Sequence, residues 1–317
     1  MTYSQEWETI VGRFGRWIDF KNDYKTMDCN YMESVWWAFK QIFDKSLVYR
    51  GARIMPFSTA CNTVLSNFEA GENYQDVKDP AIYVTFPLVD DPSTNLIAWT
   101  TTPWTLPSNL ALAVNPEFVY IKVLDEEKNI TYLFAESRLK DVLKQTNIKK
   151  HKIIEKIKGA DIVGKEYMPL FPYFNHLKDK CFRVLAGKFV TKDAGTGIVH
   201  CAPGFGEDDY AVCIAKGLVL PGDVPMPMDD DGKFKAEIKE YAGIYFKDAD
   251  PIIMKHLKEK GRLVSSGTIT HSYPMCYRSE TPLMYRAIST WFIKVTDIKD
   301  QLLKNNQDPI SMMDIKL

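Results

Sequence analysis

The chain has 317 residues, of which 45% are hydrophobic and 26% charged, as in an ordinary globular protein. Lys and Arg total 40 and Asp and Glu total 41, so the net charge of −1 lacks the basic excess of a dedicated nucleic-acid-binding domain, although a local basic face stays open. No apolar run reaches the roughly 20 residues that span a bilayer, so we expect no membrane segment.

The cysteines are scattered and form no CxxC pair, which argues against a structural zinc site and against a disulfide framework. We therefore expect no bound metal and a location in the reducing cytoplasm. The six residues are Cys29, Cys61, Cys181, Cys201, Cys213 and Cys276.

Two amphipathic helices are predicted at the start of the chain. Apolar side chains recur at helical spacing over residues 7–18 and again over residues 32–43. Asn30 and Glu33 have the spacing of a capping box for the second helix. The Trp-rich faces of these helices need a packing partner, part of which we expect outside this chain.

From about residue 78 the pattern changes to short strands. Ile82, Val84 and Phe86 alternate with Tyr83 and Thr85, as in a half-buried strand. Further strands are predicted at residues 96–100, 110–114, 118–124, 130–134, 182–190 and 197–201. Helices are predicted at residues 136–145 and 208–216, and from Asp250-Pro251 to Gly261.

Closely spaced strands with few helices predict a mixed α/β fold built on a mixed sheet or barrel, and disfavour a doubly wound parallel sheet. We divide the chain into a helical segment at residues 1–77, a core at residues 78–268 and a return segment at residues 269–317.

The first chemically informative segment is WTTTPWTLPSN at residues 99–109. Pro103 and Pro107 end the strand and stiffen the loop, because proline cannot donate to a sheet ladder. A stiff loop that carries hydroxyls and backbone N–H groups can hold a ribose, a carbonyl oxygen or a water. A strand entering a tight turn, with hydroxyls bonded to the local backbone, explains the same composition.

The second segment is DAGTGIVHCAPGFGEDDY at residues 193–210. Gly195 and Gly197 permit close backbone approach to a ligand. The acidic run at residues 207–209 falls at a predicted helix start, where carboxylates are favoured by the helix dipole; one that points into a cavity can instead pair with an ammonium group. His200 and Cys201 are adjacent on a strand and face opposite sides, which disfavours a Cys–His nucleophile pair.

Together the two segments resemble the editing-domain signatures of class Ia aminoacyl-tRNA synthetases, in particular those of eukaryotic and archaeal isoleucyl-tRNA synthetases. Residues 15–20 (GRWIDF), 47–51 (LVYRG), 271–279 (HSYPMCYRS) and 291–292 (WF) resemble the flanks that join this insertion to the catalytic domain. The His-Ile-Gly-His and Lys-Met-Ser-Lys-Ser signatures of the synthetic site are absent from this sequence. The resemblance implies an editing-domain fold with a largely antiparallel β-barrel core flanked by helices.

The resemblance also implies hydrolysis of valine attached to isoleucine tRNA, with valyl-adenylate as a further candidate substrate. Asp209 matches the aspartate that holds the substrate α-ammonium, and with Thr101 and Thr102 it forms the expected catalytic set. The implied partners are the tRNA 3′ end and the rest of the synthetase, in a monomer without a cofactor. The expected substrate-binding residues are Thr100, Trp104, Asn109, His200, Gly195 and Gly197.

Two other interpretations stay open at this point. A related editing enzyme of the valyl or leucyl type would share the fold and the aspartate but remove a different amino acid. A non-catalytic RNA-binding module would need a basic, aromatic-rich strand surface, which the sequence does not display.

Overall fold

The fold is described from a computed structural model, which covers residues 2–307; the last ten residues of the predicted return segment lie outside it. The chain forms two compact units, one from residues 2–50 with 291–307 and the other from Gly51–Thr290. The predicted boundaries at residues 77/78 and 268/269 stay a prediction. Both chemically informative segments belong to the second unit.

The helices are α1 (Thr2–Arg13), α2 (Cys29–Asp44), α3 (Asn67–Ala70), α4 (Leu139–Thr146), α5 (Gly159–Ile162), α6 (Glu207–Ala215), α7 (Phe246–Glu259) and α8 (Lys299–Gln307). The strands are β1 (Val48–Ser58), β2 (Thr63–Val64), β3 (Tyr74–Pro87), β4 (Thr94–Thr100), β5 (Ala111–Val114), β6 (Val119–Asp125), β7 (Ile130–Ala135), β8 (His151–Lys158), β9 (Arg183–Ala186), β10 (Ile198–Cys201), β11 (Leu263–Pro274) and β12 (Met284–Ile293).

The strands form three sheets, so the mixed α/β class is confirmed. The sheet orders are β12-β1-β2, β10-β5-β9 and β11-β3-β4-β7-β6-β8. Most pairs are antiparallel, while β4–β7 and β5–β9 are parallel. Within residues 2–307 these sheets do not close on themselves, since β11 and β8 are the free edges of the largest one. The predicted barrel is therefore not found.

Both faces of the six-stranded sheet are buried at β3, where successive side chains point to opposite sides. Ile82, Val84 and Phe86 of β3 belong to the large core cluster that also contains β5 and β10 residues. Tyr83, between them in sequence, belongs to a smaller cluster with Val142 of α4. Strand β3, which pairs with the strand β4 that leads into the threonine-rich segment, therefore runs through the centre of the fold.

The helix predictions were partly correct. The second predicted helix is α2, but its N-cap is Asp28, which makes no side-chain capping bond, so the capping box at Asn30 was wrong. Helix α7 begins at Phe246, and Asp250 and Pro251 lie inside it and do not open it. Pro251 is the sixth residue of α7, so its missing N–H leaves the Lys247 carbonyl without its usual helical donor.

The first unit differs from the core in exposure. Helix α2 buries none of its side chains, and Trp7, Trp17, Trp36 and Trp37 are all exposed. No helix among the described residues is long and apolar enough to cross a membrane.

Candidate functional site

The threonine-rich segment is a buried corner between β4 and a short 3-10 helix. Strand β4 ends at Thr100, and Pro103 occupies the first turn of the helix Pro103–Ser108, where its missing N–H is harmless. The Oγ1 atoms of Thr100 and Thr102 are 3.1 Å apart, and Thr100 Oγ1 accepts the Thr102 N–H at 3.1 Å. Local backbone bonding, one of the two interpretations of this segment, therefore accounts for part of its hydroxyl content.

A long-range contact fixes the start of the same helix. The buried carboxylate of Asp250 on α7 accepts the Trp104 N–H at 2.8 Å. Burial raises the pKa of Asp250 to about 7, although nearby Lys247 and the Trp104 N–H oppose the rise. The Trp104 ring packs edge-on against Phe205 and Phe246, with centroids 5.0 and 4.9 Å away.

His200 is held by hydrogen bonds on both ring nitrogens. The Asn109 side-chain amide donates to Nδ1 at 2.8 Å, and its carbonyl oxygen accepts from Tyr167 at 2.6 Å. Thr105 Oγ1 lies 3.0 Å from Nε2 and donates its single proton to the Thr102 carbonyl at 2.8 Å. Nε2 must therefore carry the imidazole proton.

The electrostatic environment of His200 favours a neutral ring, as this tautomer requires. Burial lowers the pKa of His200 to about 3, so the ring is neutral at physiological pH. Because both ring nitrogens are hydrogen-bonded, His200 is fixed in position and cannot serve as a general base unless one of these hydrogen bonds breaks. The neighbouring Cys201 thiol bonds to the Val199 carbonyl at 3.8 Å, and burial raises its pKa, so the two residues do not form a nucleophile pair.

Asp209 lies in the first turn of α6 and folds back over the loop that precedes the helix. Its Oδ2 accepts the Ala202 N–H at 2.9 Å, and no hydrogen bond from the described residues reaches Oδ1. A Cβ placed on Gly206 would lie 2.5 Å from Oδ2, so glycine leaves the space that the carboxylate occupies. Burial raises the pKa of Asp209 to about 6 against the effect of the Ala202 N–H, and the charge of Asp208 adds to the rise.

These side chains meet at one cavity of about 520 Å³. Its charged lining residues are both carboxylates, Glu207 and Asp209, which makes it suited to a cationic group. Six of the nine site residues predicted from the sequence line the cavity. Its other lining residues come from segments spread along the chain from β1 to β12. The lining residues are Ile54, Trp99, Thr100, Thr101, Thr102, Trp104, Thr105, Val199, His200, Ala202, Phe205, Gly206, Glu207, Asp209, Tyr273, Pro274 and Tyr285.

The other three predicted residues do not line the cavity. Asn109 is buried behind His200 and acts through it. Gly197 adopts a φ of +75°, and a Cβ there would lie 2.3 Å from the Cβ of Ala135, so its close backbone approach is to strand β7 and not to a ligand. Gly195, with a φ of +63°, uses its carbonyl to accept from Arg138 at 3.1 Å.

Several residues of the site were not predicted from the sequence. Tyr273, Pro274 and Tyr285 reach the cavity from β11 and β12, and Asp250 reaches Trp104 from α7. No local motif marks them, because their proximity depends on sheet pairing between segments far apart in sequence. Among residues 2–307, no group of three or more His, Cys, Asp or Glu side chains could hold a metal ion.

Sequence comparison assigns the chain to a family. The model of the class I tRNA synthetases (I, L, M and V) matches residues 1–315, and the chain belongs to that family. It is 56% identical over 308 residues to the isoleucine–tRNA ligase of Tetrahymena thermophila, covering 97% of this chain and 28% of that protein. It is 50% identical to the cytoplasmic isoleucine–tRNA ligase of Arabidopsis thaliana, covering 96% and 28%.

The chain therefore spans little more than a quarter of the length of these relatives. Among solved structures, it resembles the editing domain of the Plasmodium knowlesi cytosolic leucyl-tRNA synthetase with a TM-score of 0.45 at 12% identity. That match covers 62% of this chain and 98% of the other.

Proposed function

We propose that this chain is the editing region of a cytoplasmic isoleucine–tRNA ligase, and that its cavity hydrolyses valine esterified to isoleucine tRNA. One observation carries the proposal. The Asp209 carboxylate, the neutral His200 ring and the threonine corner (Thr100, Thr101 and Thr102) all line one cavity, and none of its lining residues is positively charged. The relatives named isoleucine–tRNA ligase support the choice of tRNA.

Asp209 holds the substrate in this proposal. Its Oδ1 is free of intramolecular hydrogen bonds among the described residues, while Oδ2 is fixed by the Ala202 N–H. An α-ammonium group would supply the missing counter-charge and lower the pKa of the desolvated carboxylate. Such a charge-assisted contact orients the ester carbonyl for attack by water.

The threonine corner supplies the polar surface around the ester. Hydroxyls and N–H groups of Thr100, Thr101 and Thr102 orient the water, stabilise the developing oxyanion and contact the terminal adenosine. Because His200 is neutral and bonded at both nitrogens, it shapes the cavity and takes no proton. Trp104 forms another part of the cavity wall. A hydroxyl of the terminal ribose assists the attack on the ester.

The selectivity follows from size. Valine is smaller than isoleucine by one methylene. A hydrophobic pocket in a synthetic site discriminates poorly between amino acids that differ by one methylene, and this pair is the standard example. A second cavity that admits valine and excludes isoleucine at His200 and Thr102 corrects the error. Valyl-adenylate, which carries the same ammonium and side chain, is a second substrate in this proposal.

The remaining partners are the 3′ end of the tRNA and the rest of the synthetase. The exposed tryptophans of α1 and α2 have the character of a surface that packs against further protein. We propose a monomer in which this chain adds the editing site to a separate synthetic domain.

The test is a comparison of deacylation rates on four esters: valyl-tRNA(Ile), isoleucyl-tRNA(Ile), threonyl-tRNA(Val) and isoleucyl-tRNA(Leu). The proposal expects hydrolysis of the first and rejection of the correctly charged second. A preference for either of the last two esters would assign the cavity to the valyl or leucyl type. Binding of tRNA without hydrolysis of any ester would indicate a non-catalytic module.

A further inference from the structure

Two cysteines from distant parts of the chain meet in the larger unit. Cys61 lies in the turn between β1 and β2, and Cys276 follows β11; their Sγ atoms are 4.0 Å apart. Cys61 is exposed, whereas Cys276 is fully buried. Since disulfide sulfurs are about 2.05 Å apart, closure needs a movement of about 2 Å, which an exposed turn can supply.

The Cys276 sulfur is surrounded by hydrogen-bond donors. Hydrogen bonding by the hydroxyls of Ser279 and Ser58 and by the backbone N–H groups of Ser279 and Arg278 lowers the pKa of Cys276. Burial opposes ionisation, but these four bonds outweigh it and lower the pKa of Cys276 to about 6. The thiolate, which is the nucleophilic form, therefore predominates at neutral pH.

The buried cysteines elsewhere in the chain have the opposite environment. Burial raises the pKa of Cys181, of Cys201 and of Cys213, which keeps their thiols protonated and inert. The donor shell is therefore specific to the sulfur that has a second thiol beside it.

We propose that Cys61 and Cys276 are a redox-modification site that forms a reversible disulfide with glutathione disulfide as the oxidant. The exposed Cys61 thiolate attacks the oxidant, forms a mixed disulfide and releases one glutathione thiolate. The Cys276 thiolate then attacks the Cys61 sulfur, forms the protein disulfide and releases the second glutathione thiolate. Two cysteine thiols are oxidised and one glutathione disulfide is reduced.

The cross-link would join two segments that also shape the cavity. Strand β1 contributes Ile54 to its wall, and β11 contributes Tyr273 and Pro274. Because the two cysteines are 215 residues apart, the bond would close a long loop and restrict the unfolded chain. We therefore expect the oxidised form to unfold at a higher temperature than the reduced form.

The experiment exposes the reduced full chain to glutathione disulfide and follows intact mass, free thiols and peptide cross-links. The expected product loses about 2 Da and two thiols, links the peptides of Cys61 and Cys276, and reverts with dithiothreitol. Cys61→Ser should abolish the product, and Cys29→Ser, at another exposed thiol, should leave it unchanged. Should Cys276→Ser fail to fold, the surface variant Cys61→Ser carries the test alone.

Two results would overturn the proposal. One is a wild-type chain that stops at the glutathione adduct on Cys61, and the other is an intramolecular disulfide that persists in Cys61→Ser. The rate of the second step adds a mechanistic readout. It should be nearly constant between pH 7 and 8, whereas attack by an ordinary thiol would accelerate nearly tenfold over that interval. A tenfold rise would exclude the preformed Cys276 thiolate.

Discussion

Two carboxylates, the half-buried Asp209 on α6 and the buried Asp250 on α7, both have a raised pKa but differ in their surroundings. Each accepts one backbone N–H, and burial raises the pKa of each, to about 6 and about 7. Asp250 has Lys247 as a neighbouring positive charge and fixes the start of the 3-10 helix Pro103–Ser108 through Trp104. Asp209 faces a cavity without a lining cation. A raised pKa alone therefore does not distinguish a substrate-binding carboxylate from a positioning one.

The largest expected effect is on Asp209. Asp209→Asn should lower valyl-tRNA(Ile) hydrolysis about 100-fold, because it removes the charge that holds the ammonium and the orientation that depends on it. The measurement is the single-turnover deacylation rate. Asp208→Asn, an equal charge change at the exposed neighbour, should stay close to wild type. Equal rates for both variants would remove Asp209 from the site.

Asp250 should respond in stability through the bond to Trp104. Asp250→Ala leaves that buried N–H without an acceptor and should lower the free energy of unfolding by about 1–3 kcal/mol. Asp250→Asn keeps an acceptor oxygen and should be much milder. Urea denaturation measures both variants. If the two are equally destabilised, the bond to Trp104 is not what Asp250 contributes.

Gly206 should separate activity from stability. In Gly206→Ala the new Cβ displaces the Asp209 carboxylate, a mobile side-chain end, so deacylation should fall about tenfold with little change in thermal midpoint. Gly267→Ala is the matched control, since a Cβ there meets nothing within 4 Å. Unchanged hydrolysis in Gly206→Ala would show that the observed position of the carboxylate is not required.

The stability of the protein should also depend on pH through Asp209, by an amount similar to the effect of Gly206→Ala. Because its folded pKa is raised above the unfolded value, the folded state binds the extra proton. The contribution of this proton to the free energy of unfolding is complete below about pH 4 and is lost as pH rises through about 6. The wild type should therefore lose on the order of 1–2 kcal/mol relative to Asp209→Asn between pH 4 and 7. A constant difference over that range would mean that Asp209 is ionised throughout.

Most predicted elements were visible in local pattern. Strand β6 and helix α6 were predicted within one residue at each end, and helix α4 within three, because side-chain alternation and helix stops are local signals. Strands β8 and β11 were missed. The side chains of β8 are almost all exposed and those of β11 are exposed or half-buried, so a hydrophobic pattern is weak, and sheet pairing with β6 and β3 stabilises both strands instead.

The sequence by itself determined the family resemblance, the mixed α/β class and the two segments that supply the cavity's polar groups, because each depends on residues close together in the chain. Tertiary structure decided what those groups do. The Asn109–His200–Thr105 hydrogen bonds assign the tautomer, and the packing of Gly197 on Ala135 gives that glycine a structural role. The physical reason is that burial, proton placement and counter-charge depend on neighbours tens to hundreds of residues away, which no local pattern encodes.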